Sequence, residues 1–218
     1  MLLDLEAFRA APLTREPFNF TVVEQAIQPL DAAAIRADFP EIADSGLLPV
    51  EATNPGPKLR ELIEEMQSEP VARAFGEKFG VDLIGRPQLI TVRGRCAARD
   101  GRIHTDSLTK LITVLIYFNE PWEAKGGRLR LLRSPTDLKD MIGEVAPDAG
   151  TMIVFKRSDC SYHGHEPYEG VRRYLMINWM TSDFAARREL FRHRLSARVK
   201  RAANLLKPTI RRAGGARG

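Results

Sequence analysis

From residue 87 onwards the chain sets short apolar runs between turn-forming residues, and that rhythm suggests its architecture. Residues 88–97 (QLITVRGRCA), 110–119, 151–156 and 172–180 each have the length and the β-branched or aromatic content of a strand, and 127–133 reads as a further strand. The second of these holds an unbroken apolar or β-favouring run, LITVLIYF, from Leu111 to Phe118. The separators carry Gly126-Gly127, Pro135, Pro147 and Gly150. No helical pattern between them is long enough for a crossover, so the spacing predicts an antiparallel sandwich or barrel. Residues 137–145 read as a short helix or a loop insertion. No internal repeat is visible.

The flanks follow a different period. Residues 4–11 read as a short helix ending before Pro12, and 18–27 (FNFTVVEQAI) as a first strand. A helix over 32–38 follows, with Asp31 as its N-cap and Pro40 beyond its end. Residues 46–57, rich in Pro and Gly, read as a loop. Leu59, Leu62, Ile63 and Met66 then recur at helical spacing, and Ser68 is placed to cap a further helix over 70–79. This helical pair is expected to cover one face of the sheet. After Trp179 a last helix is predicted from Phe184 to about Lys207, stopped by Pro208. Its apolar stripe runs through Phe184, Phe191, Leu195, Val199, Ala202 and Leu206.

Composition changes this picture little, and charge changes it more. At 218 residues, 44% apolar and 28% charged, the chain is an ordinary one-domain length. Two cysteines, Cys96 and Cys160, give neither a disulfide framework nor zinc spacing, which points to a reduced, cytoplasmic setting. The N-terminal residues lack the basic and apolar regions of a secretion signal, and no apolar run approaches the ~20 residues of a membrane span. Residues 184–218 hold eleven Lys/Arg and one acid, a net of +10 against +5 for the whole chain. Residues 1–183 therefore carry 5 − 10 = −5, and the basic character belongs to the tail.

The candidate chemistry lies between residues 101 and 179. His104-Thr105-Asp106 follows an Asp-Gly turn, and on an extended segment i and i+2 side chains point the same way. Ser161-Tyr162-His163-Gly164-His165-Glu166-Pro167 comes later, followed by Arg172-Arg173. Two His and one carboxylate are the ligands of the facial triad that binds Fe(II) with open positions. Alone, an H-x-D is a frequent accident. Cys160 reads as a small, buried apolar residue rather than a nucleophile, since no base is placed for it.

Taken together, HTD, LITVLIYFNEPWEAKGGRLRLL and APDAGTMIVFKRSDCSYHGHEPYEGVRRYLMINW resemble the prolyl-hydroxylase-like Fe(II)- and 2-oxoglutarate-dependent dioxygenases, over about residues 87–180. The resemblance implies a mainly β (α+β) chain. Its core would be a double-stranded β-helix, or jelly roll, with N-terminal supporting helices and a C-terminal helix. It implies Fe(II) on His104, Asp106 and His163, with His165 the competitor for the last place. It implies 2-oxoglutarate as co-substrate, its far carboxylate held by Arg173 and Tyr117, with Thr113 and Leu129 facing the same cavity. Arg172 is expected to point away as a solvated charge. Arg suits the clamp because its planar fork grips a carboxylate twice.

The implied reaction consumes O2 and releases succinate and CO2, with ascorbate a candidate reductant. Asp106, rather than a small residue, favours hydroxylation of a substrate that no motif identifies. Two rivals stand beside it: a non-catalytic jelly-roll binding module, and a cupin-type metalloenzyme without 2-oxoglutarate. The expected division is a dioxygenase domain over 1–183 and a basic helix and tail over 184–218. For the tail, an anionic membrane surface or an acidic partner is the candidate contact, and the chain would be cytoplasmic or peripheral to a membrane. Nucleic acid is disfavoured, because the domain is acidic and lacks interleaved aromatic and basic residues.

Overall fold

The fold is seen in a computed structural model, in which residues 1–192 are described. Asp4 accepts the Ala7 N–H at 2.8 Å and starts α1 (Leu5–Ala10). The first strand, β1 (Phe20–Val23), is shorter than its apolar run predicts, because residues 24–25 turn. Helix α2 (Pro29–Ala37) begins two residues before Asp31, with Gln28 at the cap. Pro29 needs no N–H partner there, and Asp31 falls in the first turn, where the helix dipole favours an acid. The expected loop contains β2 (Leu48–Pro49) and a 3-10 turn, Val50–Ala52. The two stripe-bearing helices follow as α3 (Pro57–Met66) and α4 (Glu69–Phe79).

The remaining strands are β3 (Gln88–Cys96), β4 (Lys110–Tyr117), β5 (Leu129–Leu132), β6 (Met141–Val145), β7 (Met152–Lys156), β8 (His163–Gly164) and β9 (Gly170–Met180). Residues 141–145 are thus a strand, not a helix or insertion. Among the described residues β6 pairs only with β5, and of its five residues only Val145 is buried, so apolar alternation is weak there. The larger sheet has the order β1-β7-β4-β9-β3-β2 and the smaller the order β6-β5-β8. All their pairings are antiparallel. This is the jelly-roll arrangement, mainly β with helices added.

The two faces of the larger sheet are buried differently. Ile90, Val92, Ile112, Val114, Ile116, Val154, Ile177 and Trp179 face the helices and join Phe8, Ile35, Leu62 and Phe75 in one core. Phe75 stacks on Phe8 at 4.0 Å and meets Trp179 at 5.3 Å. The opposite face carries Leu115, Tyr117, Phe155, Tyr174 and Met176, which pack against Leu129, Leu131 and Val145 of the smaller sheet.

Residues 183–192 are helical, and Ala185 seats this helix on Leu89 and Met180. The expected stripe does not do so: Phe184 and Phe191 are 75% and 67% exposed, while Glu189 is buried and bound by Arg192. Leu195, Val199, Ala202 and Leu206, like Lys207 and Pro208, lie outside the described residues. Among the described residues no helix is long and apolar enough to cross a membrane.

Candidate metal centre

Backbone pairing brings the two ends of the motif together. His104 and His163 are antiparallel partners, exchanging N–H···O bonds of 3.1 and 3.0 Å beyond β8. Their rings lie 4.3 Å apart, and Asp106, two residues on, turns its carboxylate to the same point. Ligand atoms of His104, Asp106 and His163 all fall within 4.8 Å of one another. His165 also borders the cavity, but among the described residues it is not part of this cluster.

The donors are prepared chemically as well as spatially. His104 Nδ1 lies 2.9 Å from the Arg102 carbonyl, and His163 Nδ1 lies 3.0 Å from that of Ser161. A carbonyl only accepts, so each Nδ1 carries a proton and each Nε2 is the atom turned to the cluster. Burial, the largest influence, pushes His163 down to about 4, so its ring is neutral near pH 7. Burial alone would raise the Asp106 carboxyl. Lys110 and His163, with the Lys110 and Thr113 hydrogen bonds, outweigh it and hold the carboxyl well below the usual range. Lys110 Nζ lies 2.7 Å from Oδ1 and Thr113 Oγ1 lies 2.5 Å from Oδ2. Two imidazoles and one carboxylate are a donor set that fits Fe(II).

Beside this cluster the cavity is cationic, and here the sequence expectation fails. In β9, Leu175, Ile177 and Trp179 face the helices, so Arg173, in phase with them, is directed away from the cavity. Arg172, in phase with Tyr174 and Met176, is 3% exposed and borders the cavity. Its Nε donates to the Gly127 carbonyl at 2.8 Å, and its Nη2 lies 3.5 Å from the Tyr117 hydroxyl. Its guanidinium also stands over the rings of Tyr117 and Tyr174, at 5.3 and 5.1 Å. Tyr117 is fully buried behind it, and burial pushes the phenol up to about 12. Thr113 and Leu129 border the cavity as expected. Gly127 sits at φ +80° with Trp122 and Tyr168 against it, which leaves no room for a side chain.

Residues 95–181 match the model of the 2OG-Fe(II) oxygenase superfamily. That segment is similar to the 2OG-Fe(II) oxygenase domains. Comparison with curated protein sequences yields no match. Among solved structures, a prolyl-4-hydroxylase of Pseudomonas putida is similar over 75% of this chain and 86% of its own, at 18% identity and a TM-score of 0.54. A Trichoplax adhaerens prolyl hydroxylase, solved with a hypoxia-inducible-factor peptide, covers 74% and 83% at 11% identity and a TM-score of 0.53. A collagen prolyl hydroxylase of Paramecium bursaria Chlorella virus-1, solved with 2OG, covers 75% and 95% at 15% and 0.50. These likenesses are of fold. Members of that superfamily use Fe(II) and 2-oxoglutarate with O2, and this chain holds a His-Asp-His set of matching chemistry.

Several polar residues around this cavity escaped the sequence reading. Lys110 stands at the start of β4, on the Asp106 carboxylate. Asn178 Oδ1 lies 2.9 Å from Thr113 Oγ1, whose single hydrogen serves one acceptor at a time. Arg93 borders the cavity from β3. A signal existed for Arg93: with Ile90 and Val92 on the core face, alternation sends Thr91 and Arg93 to the other.

Proposed function

We propose that the chain is an Fe(II)- and 2-oxoglutarate-dependent hydroxylase with His104, Asp106 and His163 as the iron ligands. The observation that carries this reading is the convergence of those three side chains in the cavity that Arg172 enters. No carboxylate pairs with Arg172 among the described residues, and that cation suits the far carboxylate of 2-oxoglutarate. When bound, iron and 2-oxoglutarate supply an oxidant derived from O2, with succinate and CO2 as by-products.

The protein's own part is to hold and orient. The Arg102 and Ser161 carbonyls fix both imidazoles with Nε2 free, while Lys110 and Thr113 keep Asp106 ionised and in one rotamer. Tyr117 and Gly127 aim Arg172, and Leu115, Leu129 and Phe155 keep water from the rest of the wall. Residues 184–218 carry a net charge of +10, and their start is joined to the sheet through Ala185 on Leu89 and Met180.

A pure binding module has no use for a buried guanidinium beside a metal set, which ranks that alternative second. A cupin-type enzyme without 2-oxoglutarate is disfavoured on the same ground. The test is anaerobic addition of Fe(II) and 2-oxoglutarate, read by the metal-to-ligand charge-transfer absorption. Wild type is expected to develop the band, and His163→Ala and Arg172→Met to lose it. A band that survives both changes overturns the assignment.

A further inference from the structure

We propose that Arg93 makes the substrate end of this cavity selective for a molecule that carries a carboxylate. The inference rests on the hydroxylase reading and names the substrate class of the same site. Arg93 lies on β3 directly across from Tyr174, and the bulge after it is where the β3–β9 register shifts. Its guanidinium is 5.8 Å from the Tyr174 ring centroid, while that of Arg172 is 5.1 Å from the same ring. Two guanidinium groups thus share one aromatic side chain and border one cavity of about 150 Å³.

The charges decide what such a cavity holds. Its fixed cations are Arg93, Lys110 and Arg172, and Asp106 is the acid in its wall. Asp100 adds a second acid by accepting Arg93 Nη1 at 2.5 Å, from a turn where it also accepts the Ala97 N–H at 3.0 Å. Three positive and two negative charges leave +1. Fe(II) and doubly charged 2-oxoglutarate cancel one another, so the loaded site keeps that +1, and one anionic group neutralises it.

The hydrogen-bonding inventory places that anion at Arg93. Arg172 is anchored through Nε and Nη2 to Gly127 and Tyr117. Arg93 has Nη1 engaged by Asp100 and, at 3.5 Å, by Cys96 Sγ, and its Nε is buried with no hydrogen-bond partner among the described residues. An unpaired buried donor is costly, and the Nε–Nη2 edge of a guanidinium is a two-pronged fit for a carboxylate. A neutral amide in the same place would leave both the charge and the donor unsatisfied.

The experiment uses the full chain loaded anaerobically with Fe(II) and 2-oxoglutarate, and reads binding of propionate and propionamide by calorimetry while the charge-transfer band is followed. Wild type is expected to bind propionate at least tenfold more tightly than propionamide with the band retained. Arg93→Met is expected to lose that preference and to hold 2-oxoglutarate within twofold of wild type, while Arg93→Lys keeps part of the preference and guards against misfolding. Equal binding of the two probes by wild type overturns the proposal, as does a preference that survives in Arg93→Met. Loss of the band on adding propionate, or a tenfold loss of 2-oxoglutarate affinity in Arg93→Met, assigns the anion site to the co-substrate and also overturns it. A wild type that never forms the band refutes the hydroxylase reading instead.

Discussion

The two faces of the larger sheet come from the same strands, yet they solve opposite problems. Facing the helices, Ile90, Val92, Val114, Ile177 and Trp179 are apolar and sealed, so their energy comes from area removed from water. Facing the smaller sheet, Arg93, Thr113, Asn178 and Arg172 interrupt the apolar wall and bear on a cavity or on the group beside it. There, buried polar atoms must be paired or await a ligand, and Asn178 Nδ2, Thr91 Oγ1 and Arg93 Nε have no hydrogen-bond partner among the described residues. One face supplies the stability that the other forgoes. The lesson is positional: alternate residues of one strand serve the fold and the site separately.

Substitutions on either side should therefore separate stability from metal chemistry. The largest effect is expected from Asp106→Ala, which removes a charged donor. Iron affinity should fall by more than the ~10–100-fold typical of outer-shell changes, and hydroxylation should vanish. Full turnover by this variant would break the distinction between the faces. Phe75→Ala, on the helix side, should cost about 3–5 kcal/mol in chemical denaturation and leave the iron affinity of the folded fraction unchanged. A large change in iron affinity there would mean that the faces are coupled.

Thr113→Val, on the site side, should reach the metal. It keeps the volume but removes the hydroxyl bound to Asp106, so iron affinity should drop ~10–100-fold while stability falls by about 1–3 kcal/mol, the cost of an acceptor left unpaired. Acid adds a fourth test on the metal-free chain. His163 and His165 are pushed down to about 4, so the folded chain binds fewer protons than the unfolded one between pH 6.5 and about 4. Stability should then fall as pH drops through that window, by at most ~1.4 kcal/mol per pH unit for each ring. A flat denaturation midpoint there would refute the burial of the two rings. The smallest effect is expected from Arg73→Ala, an exposed partner of Glu69, at a few tenths of a kcal/mol.

Much of this division was legible in the sequence because period and burial coincide. Leu59, Leu62, Ile63 and Met66 announce α3, and the run from Leu111 to Phe118 announces β4. His104, Asp106 and His163 were found because the pattern spans several linked motifs. What stayed hidden depends on phase and on partners. The choice between Arg172 and Arg173 as the cavity's arginine needs the face on which Trp179 lies, and reckoning from that Trp pointed to Arg173, whereas Arg172 borders the cavity. Strand β6 is an exposed edge and β8 has two residues, too little of either for a pattern to form. Lys110 reads as an ordinary strand end until Asp106 is seen against it. The exposure of Phe184 and Phe191 was hidden for a related reason, since small Ala185 rather than a large residue makes the contact.

The bridge between His104 and His163 has a kinetic consequence. Strand β1 pairs with β7 and β3 with β9, so much of the sheet closes across long stretches of chain, a topology of high contact order that folds slowly. A collapsed chain with wrong pairings still possesses its H-x-D pair, but it lacks the third donor. Iron uptake during refolding is thus a clock for completed strand registry, and it starts only when the distant halves of the barrel have met.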